Sequence, residues 1–309
     1  MPDTNEWTSL PNPEAPQPQL IPQSRPPGNF DSKIVNPDDP PWGLGGALLV
    51  WFLSVCLIVL VPQVFLLPYL FSKGFHFGTP EDVNALLQFA ITDKTAVILQ
   101  VAALLPSHLL TMVLVWALVT RFGKRPFWTT IGWGWAPGFR LWSCVGLGVL
   151  LFAAALVVSK LLGAGKPTTL DQIINSSLTA RYLLSFFAVA TAPFVEEFIY
   201  RGVLYAPLQR LVGVPGAVVI VLVLFTVIHV PQYRSNLGVI AAVGLLSVAL
   251  TLVRAYSRRL LPCIVIHLVF NGIQAVLLVV EPYMQRYVPS PEPITPPASL
   301  VLPLLGLLN

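Results

Sequence analysis

The feature that most constrains the fold is a succession of apolar runs, each close to the length that crosses a membrane. A helix needs roughly 20 apolar residues to span a bilayer. Seven runs approach or exceed that length, at about 43–71, 95–120, 140–162, 181–208, 215–233, 236–254 and 260–280. They predict an all-α protein, a polytopic transmembrane helix bundle of seven spans, in which Pro62 and Pro68 kink or end the first span. The shorter apolar segment 298–309 could add an eighth.

The composition agrees with a lipid environment. Of the 309 residues, 55% are hydrophobic and only 10% are charged, whereas soluble domains carry about 25% charged residues. The mean hydropathy is +0.74. The net charge of +4 is too small to indicate a nucleic-acid partner, so membrane lipid is the expected surrounding. Cys56, Cys144 and Cys263 are dispersed among the apolar runs, which argues against a disulfide framework.

The two ends of the chain differ in composition from the spans. Residues 1–41 hold eleven prolines and few apolar residues, which predicts a disordered tail. Residues 286–309 form a proline-rich linker followed by the short apolar segment. Residues 42–175 between them contain the first transmembrane helices, and the later spans begin near residue 176.

Basic residues predict the orientation of the bundle. They concentrate in the loops 121–140 and 254–259, which lie on one side if seven spans alternate. By the positive-inside rule that side is cytoplasmic, and the N-terminus lies on it too. In a prokaryote the membrane would be the plasma membrane.

Charged residues inside a span are the next anomaly, because each costs on the order of 2.5–3.5 kcal/mol to insert. The fourth span contains Glu196, Glu197 and Arg201. Glu197 and Arg201 are four residues apart, so they share a helix face and can form an ion pair. Glu196 points about 100° away and has no cation four residues from it. A bare intramembrane carboxylate is a candidate for a functional site.

Two later spans carry polar stripes of the same helical spacing. Phe225 and His229 are four residues apart, as are His267 and Asn271. If the three spans converge, Glu196 and a neutral imidazole could deprotonate a water, and a second histidine with an amide could stabilise an oxyanion. Two histidines with a glutamate are also a known zinc arrangement. Packed histidines and an asparagine that joins two helices are the structural alternatives.

The three motifs together resemble a known family. EEFIYRG, FTVIH and HLVFN follow one another on late spans. In this order they are similar to EExxxR, FxxxH and HxxxN/D, the signature of the CPBP family (CAAX proteases and bacteriocin-processing enzymes, also called Abi). The resemblance covers about residues 181–275 and identifies 176–285 as a CPBP-like catalytic core.

The resemblance implies a role for each motif residue. Glu196 would be the base that activates water, His229 its partner, and His267 with Asn271 the oxyanion-stabilising pair. Glu197, Arg201 and Phe225 would shape the site. The family is commonly classed as metal-dependent. A divalent metal such as zinc would then be held by Glu196, His229 and His267, although a metal-free glutamate mechanism has also been argued.

The resulting hypothesis is an intramembrane endopeptidase, or metalloprotease, that hydrolyses membrane-associated protein or peptide substrates. Two alternatives stay open. Some family members are linked to bacteriocin immunity, so the chain could be a non-proteolytic immunity or scaffold factor. Intramembrane glutamate and histidine also form proton relays, so an ion-coupled transporter is the third hypothesis. No repeat symmetry in the sequence supports it.

Overall fold

The structure, a computed structural model, describes residues 36–75, 78–163 and 167–284. This part of the chain is helical with no strand, apart from one isolated bridge between Ala136 and Phe139. The prediction of an all-α fold is confirmed. The predicted tail up to residue 35 and the predicted C-terminal segment 286–309, with its candidate eighth helix, lie outside the described residues.

The described chain folds into α-helices and one π-helix. In order they are α1 (Leu44–Ser72), α2 (Pro80–Thr92), α3 (Lys94–Ala102), α4 (Leu104–Thr120), α5 (Phe127–Thr130), α6 (Leu141–Leu161), α7 (Thr169–Ser176), α8 (Leu178–Ala190), α9 (Ala192–Glu197), the π-helix (Phe198–Leu204), α10 (Tyr205–Tyr233), α11 (Leu237–Ser257) and α12 (Leu261–Met284).

Within the described residues, six helical stretches are long and apolar enough to cross a membrane. They are Leu44–Ser72, Lys94–Thr120, Leu141–Leu161, Leu178–Tyr233, Leu237–Ser257 and Leu261–Met284. The predicted count of seven or eight spans is not confirmed. The difference lies in 178–233, where two spans were expected.

The stretch Leu178–Tyr233 is 56 residues long. As one straight helix it would measure about 84 Å, against a hydrocarbon core of roughly 30 Å. It is interrupted at Gly213, whose φ of 71° and ψ of 175° are not helical. Glycine adopts a positive φ without the strain that a side chain would bring, so this residue divides α10 into two segments.

The prolines and cysteines of the spans neither end helices nor form cross-links. Helix α1 continues through Pro62 and Pro68, so of the two predicted effects, a kink or an end, neither proline ends the first span. Membrane helices tolerate proline because neighbouring groups satisfy the freed backbone carbonyls. The three cysteines are free thiols. The sequence had argued against a disulfide framework.

Apolar side chains lie both inside and outside the bundle. One buried cluster joins α1, α4, the π-helix and α10, and a second joins α6, α11 and α12. On the outer faces, large residues such as Val64, Leu150 and Val223 are more than half exposed. Apolar helix faces of this kind are stable against lipid rather than water. The chain is an integral membrane protein.

The residues just before α1 lie across the end of the π-helix, and we call residues 37–42 the strap. They were predicted as the end of the tail. Arg254 of α11, which is fully buried, donates from Nη1 to Asp38 Oδ1 (2.8 Å) and from Nη2 to the Pro37 carbonyl (3.0 Å). Its Nε donates to the Arg201 carbonyl (3.2 Å). One guanidinium thus connects the strap to the π-helix.

Further contacts attach the strap. The indole Nε1 of buried Trp42 donates to the Val203 carbonyl of the π-helix (3.0 Å). Arg210 forms an ion pair with Asp39 in which both side chains are well exposed, at 39% and 68%. Asp38 thus pairs with the buried Arg254 and also with the exposed Arg258 (3.3 Å), whereas Asp39 pairs with an exposed arginine.

We predict that Asp38→Asn lowers the free energy of unfolding by about 3 kcal/mol, because it leaves a buried guanidinium without its anion. The matched variant Asp39→Asn removes only an exposed pair and should change stability by less than about 1 kcal/mol. Thermal denaturation of both purified variants in detergent measures the difference. Equal midpoints for the two would contradict the assigned role of Asp38.

Candidate active site

The acidic motif lies at a change of helix type. Helix α9 ends at Glu197 and the π-helix begins at the next residue, with every π-helical residue buried. Short π-helical turns are rare and often mark functional sites. Arg201 lies in this turn, and its Nη1 donates to Glu197 Oε1 at 2.9 Å. The ion pair predicted from the spacing of four is present.

The pair is completely buried and belongs to a larger network. Both side chains have no solvent exposure. Arg201 Nη2 donates to the carbonyl (2.8 Å) and hydroxyl (3.1 Å) of Ser247 on α11. His267 Nδ1 lies 2.8 Å from the same Glu197 oxygen. Because a carboxylate only accepts, Nδ1 of His267 carries the proton.

His267 thereby lies between the two adjacent glutamates. Its Nε2 is 3.7 Å from Glu196 Oε2. The Glu196 side chain is 21% exposed, whereas Glu197 is sealed. The bond between His267 and Glu197 was missed by sequence reasoning, because helical spacing relates residues on one helix and these two lie on different helices.

His229 is fixed by its own helix. Its Nδ1 is 2.7 Å from the Phe225 carbonyl one turn earlier, so Nδ1 donates, and in the neutral ring the lone pair lies on Nε2. The Phe225 ring contacts the His229 ring, with centroids 4.8 Å apart. It also lies 4.9 Å from the Arg201 guanidinium, within the range of a cation–π contact. Phe225 thus joins the FxxxH motif to the EExxxR motif.

Asn271 links two helices. Its Nδ2 donates to the Ala188 carbonyl of α8 at 2.9 Å. The helix-joining alternative considered from the sequence is therefore present. An amide nitrogen carries two hydrogens, so one remains for a second acceptor.

A cavity of about 550 Å³ brings the motifs together. Its wall includes the four predicted catalytic residues, Glu196, His229, His267 and Asn271. Glu197 and Arg201 lie behind that wall. His108 also lines the cavity, with Nδ1 2.8 Å from the Thr191 hydroxyl. Most of the remaining wall is apolar and comes from α1, α8, α10 and α12.

The donor groups of the site can be compared with those that hold a metal ion. His229 and His267 each donate from Nδ1, as metal-ligating histidines do. Yet no group of three histidine, cysteine, aspartate or glutamate side chains in the described part of the chain is placed to hold a metal ion. Glu196 and His267 approach one another, but no third ligand completes a set. In this structure the side chains of Glu196, His229 and His267 are not placed as a three-ligand site. A metal held by these three residues stays a prediction.

Comparison with known proteins identifies the segment that carries these residues. Residues 178–273, which begin at α8 and end within α12, match the family model described as type II CAAX prenyl endopeptidase Rce1-like. This is a CPBP family, so the resemblance seen in the motifs is confirmed. The segment contains all four cavity residues but less than half of the chain. No curated protein and no solved structure is similar enough to count as a match.

The adjacent glutamates should respond differently to the same substitution. Glu197→Gln leaves Arg201 buried without an anion and should lower the free energy of unfolding by about 3–5 kcal/mol. Glu196→Gln alters a partly exposed side chain with no cation paired to it and should change stability by less than about 1 kcal/mol. Thermal denaturation of both variants provides the measurement, and a larger loss for Glu196→Gln would contradict the assignment.

Proposed function

We propose that this chain, which carries a CPBP-family protease domain over residues 178–273, hydrolyses peptide bonds within the cavity that Glu196 lines. The proposal rests on one observation, the different environments of the two adjacent glutamates. Glu197 is neutralised and sealed by Arg201, whereas Glu196 faces a cavity inside an apolar bundle with His229, His267 and Asn271 around it. A partly exposed carboxylate in such a place, to which no described arginine or lysine is paired, suits a general base.

The first step is the activation of a water. Water has two protons to donate, and the site offers two acceptors on the cavity wall, the Glu196 carboxylate and Nε2 of His229. In the proposed mechanism the water donates to both. Its own lone pair then points at the carbonyl carbon of the substrate. Glu196 takes one proton as the oxygen–carbon bond forms.

The second requirement is stabilisation of the charge that moves onto the carbonyl oxygen. Asn271 supplies its second Nδ2 hydrogen, since the first is bonded to Ala188. His267 can donate from Nε2 when it carries two protons, with Nδ1 still bonded to Glu197. Donors held in advance at the place where charge develops are worth more than donors that must reorient.

Collapse of the tetrahedral intermediate completes the reaction. The carbon–nitrogen bond breaks, and the proton held by Glu196 moves to the leaving nitrogen. The products are an amine and a carboxylic acid, and Glu196 returns to its carboxylate form. Glu197 and Arg201 act as positioning residues in this scheme, because they hold His267 through Nδ1.

The substrate enters an apolar site within the membrane, which favours a membrane-associated protein or peptide. Because the matching family model is described as a CAAX prenyl endopeptidase, a prenylated CAAX peptide is the substrate to assay first. The same peptide without its prenyl group is the informative comparison, because it separates recognition of the peptide from recognition of the lipid.

We predict that Glu196→Gln lowers kcat by roughly 10²–10⁴-fold, the usual contribution of a general base. His229→Ala should lower kcat less, since the water keeps Glu196 as an acceptor. The measurement is hydrolysis of a fluorogenic CAAX peptide by purified full-length chain in proteoliposomes.

Glu81→Gln serves as the matched control for this assay. Glu81 is an exposed residue at the start of α2, remote from the cavity wall, and its variant should hydrolyse at the parental rate. If the Glu196 and His229 variants cleave as fast as the parent, the mechanism is wrong. A parent that cleaves no peptide would favour the immunity or scaffold hypothesis.

Metal dependence has a separate test. Since the described residues hold no three-ligand set, we expect peptide hydrolysis to continue at the parental rate after treatment with a strong divalent-metal chelator. Measurement of the rate before and after treatment, and again after the addition of zinc, decides between the two versions. Loss on chelation with recovery on zinc would assign a metal role to Glu196, His229 and His267.

A further inference from the structure

The inference starts from the register of two helices in the cavity wall. Arg181, early in α8, donates to the Leu278 carbonyl, late in α12 (3.2 Å). Asn271 in turn donates to the Ala188 carbonyl at the other end of α8 (2.9 Å). The two contacts show that α8 and α12 run antiparallel, with residue numbers rising on one helix as they fall on the other.

This register places Ser185 of α8 opposite Gln274 of α12. Both side chains line the cavity, and both are more than nine-tenths buried, at 7% and 6% exposure. We call this pair the polar ledge. It interrupts a stretch of wall that is otherwise made of apolar side chains such as Leu184, Ala275 and Leu278.

The polar ledge lacks hydrogen-bond partners. The Ser185 hydroxyl is buried without a partner, and no hydrogen bond to the Gln274 amide is found within the described part of the chain. Leaving a buried polar group unsatisfied costs about 1–3 kcal/mol. Native structures satisfy nearly all such groups with protein, water or ligand. The buried Ser185 hydroxyl, facing the same cavity as the unbonded Gln274 amide, therefore indicates a place that is filled during function.

The polar ledge lies close to Asn271, where the proposed mechanism places the scissile carbonyl. Gln274 lies three residues beyond Asn271 on α12, a rise of about 4.5 Å. An extended peptide advances about 3.3 Å per residue. A substrate whose scissile carbonyl contacts Asn271 therefore brings a neighbouring peptide group to the ledge.

We propose that Ser185 and Gln274 bind the main chain of the substrate peptide beside the scissile bond. The proposal rests on the proposed function, because it takes the scissile bond to lie at Asn271. A carboxamide can accept from the N–H and donate to the C=O of one peptide group, and a hydroxyl can serve the next. The apolar wall around the ledge then receives apolar substrate side chains.

A peptide is a better occupant of this place than a hydrocarbon chain. An acyl or prenyl chain has no donor or acceptor and would leave both ledge residues unsatisfied. Contacts to the main chain are also independent of side-chain identity, so the ledge would hold peptides of varied sequence in one extended register. Water alone is the remaining occupant, and the experiment distinguishes it.

The test measures binding rather than turnover. The full-length chain in detergent is titrated against a fluorescein-labelled octapeptide built of alanine, valine and leucine, and the Kd is read by anisotropy. A set of the same peptides, each methylated at one backbone nitrogen, locates the amides that donate to the protein. The variants are Ser185→Ala, Gln274→Leu and the double variant, with Ser159→Ala as control. Ser159 is equally unpartnered and buried, but it lies on α6 outside the cavity wall.

We expect each single variant to raise the Kd of the parent octapeptide by roughly three- to tenfold, the value of one hydrogen bond. Ser159→Ala should leave it unchanged. Methylation at one position should weaken binding to the parent protein, and this loss should disappear in the double variant. An unchanged Kd in all variants, or a methylation loss that persists in the double variant, would overturn the proposal and leave water as the occupant.

The outcome is separable from the proposed function. Peptide binding that depends on the ledge, combined with no hydrolysis of any peptide, would refute the protease and retain the ledge. Hydrolysis that depends on Glu196, combined with binding indifferent to the ledge, would refute only the ledge. Absence of any octapeptide binding to the parent protein also counts against the ledge.

Discussion

The buried ion pair between Glu197 and Arg201 is the interaction on which the rest of the structure depends. A charged pair removed from both water and lipid is stable only when its remaining hydrogen-bonding capacity is met. The chain meets part of it with His267 from α12 and Ser247 from α11, while Glu197 Oε2 and Arg201 Nε have no hydrogen-bond partner. The ring of Phe225 from α10 covers the guanidinium. Three helices are thereby held against the π-helix by one pair of charges, and the walls of the cavity follow from their positions.

The same pair explains why two identical neighbouring side chains differ in chemistry. Glu197 gives one oxygen to both Arg201 and His267 and is unavailable to a substrate. Glu196 projects to the cavity and keeps a partly exposed carboxylate. His267 lies between them, so the buried charge of Glu197 fixes the imidazole that faces Glu196. A polar site in a membrane is built here from one sealed carboxylate behind one that lines the cavity.

The sequence predicts most of the spans and one ion pair of the site. The contacts that it does not predict have a common cause. Apolar run length predicts most of the spans, and a spacing of four predicts the pair of Glu197 with Arg201. Both are properties of a single helix. The bond from His267 to Glu197 and the contact of Asp38 with Arg254 join residues far apart in the chain, and no local pattern records them. Helix assignment runs on through Leu178–Tyr233, and its break at Gly213 lies in the gap between the two expected spans, 181–208 and 215–233.

The strap has a consequence for how this protein could be inherited or rearranged as a module. The recognised family segment starts at residue 178, yet Arg254 inside it finds its anion at Asp38, and the Val203 carbonyl finds its donor at Trp42. The unit that sequence comparison recognises is therefore smaller than the unit that folds. A recombination event that transplanted only the motif-bearing helices would separate Arg254 from Asp38 and the Val203 carbonyl from Trp42. Selection should then hold the segment before the first helix and the late helices together, although they share no recognisable motif.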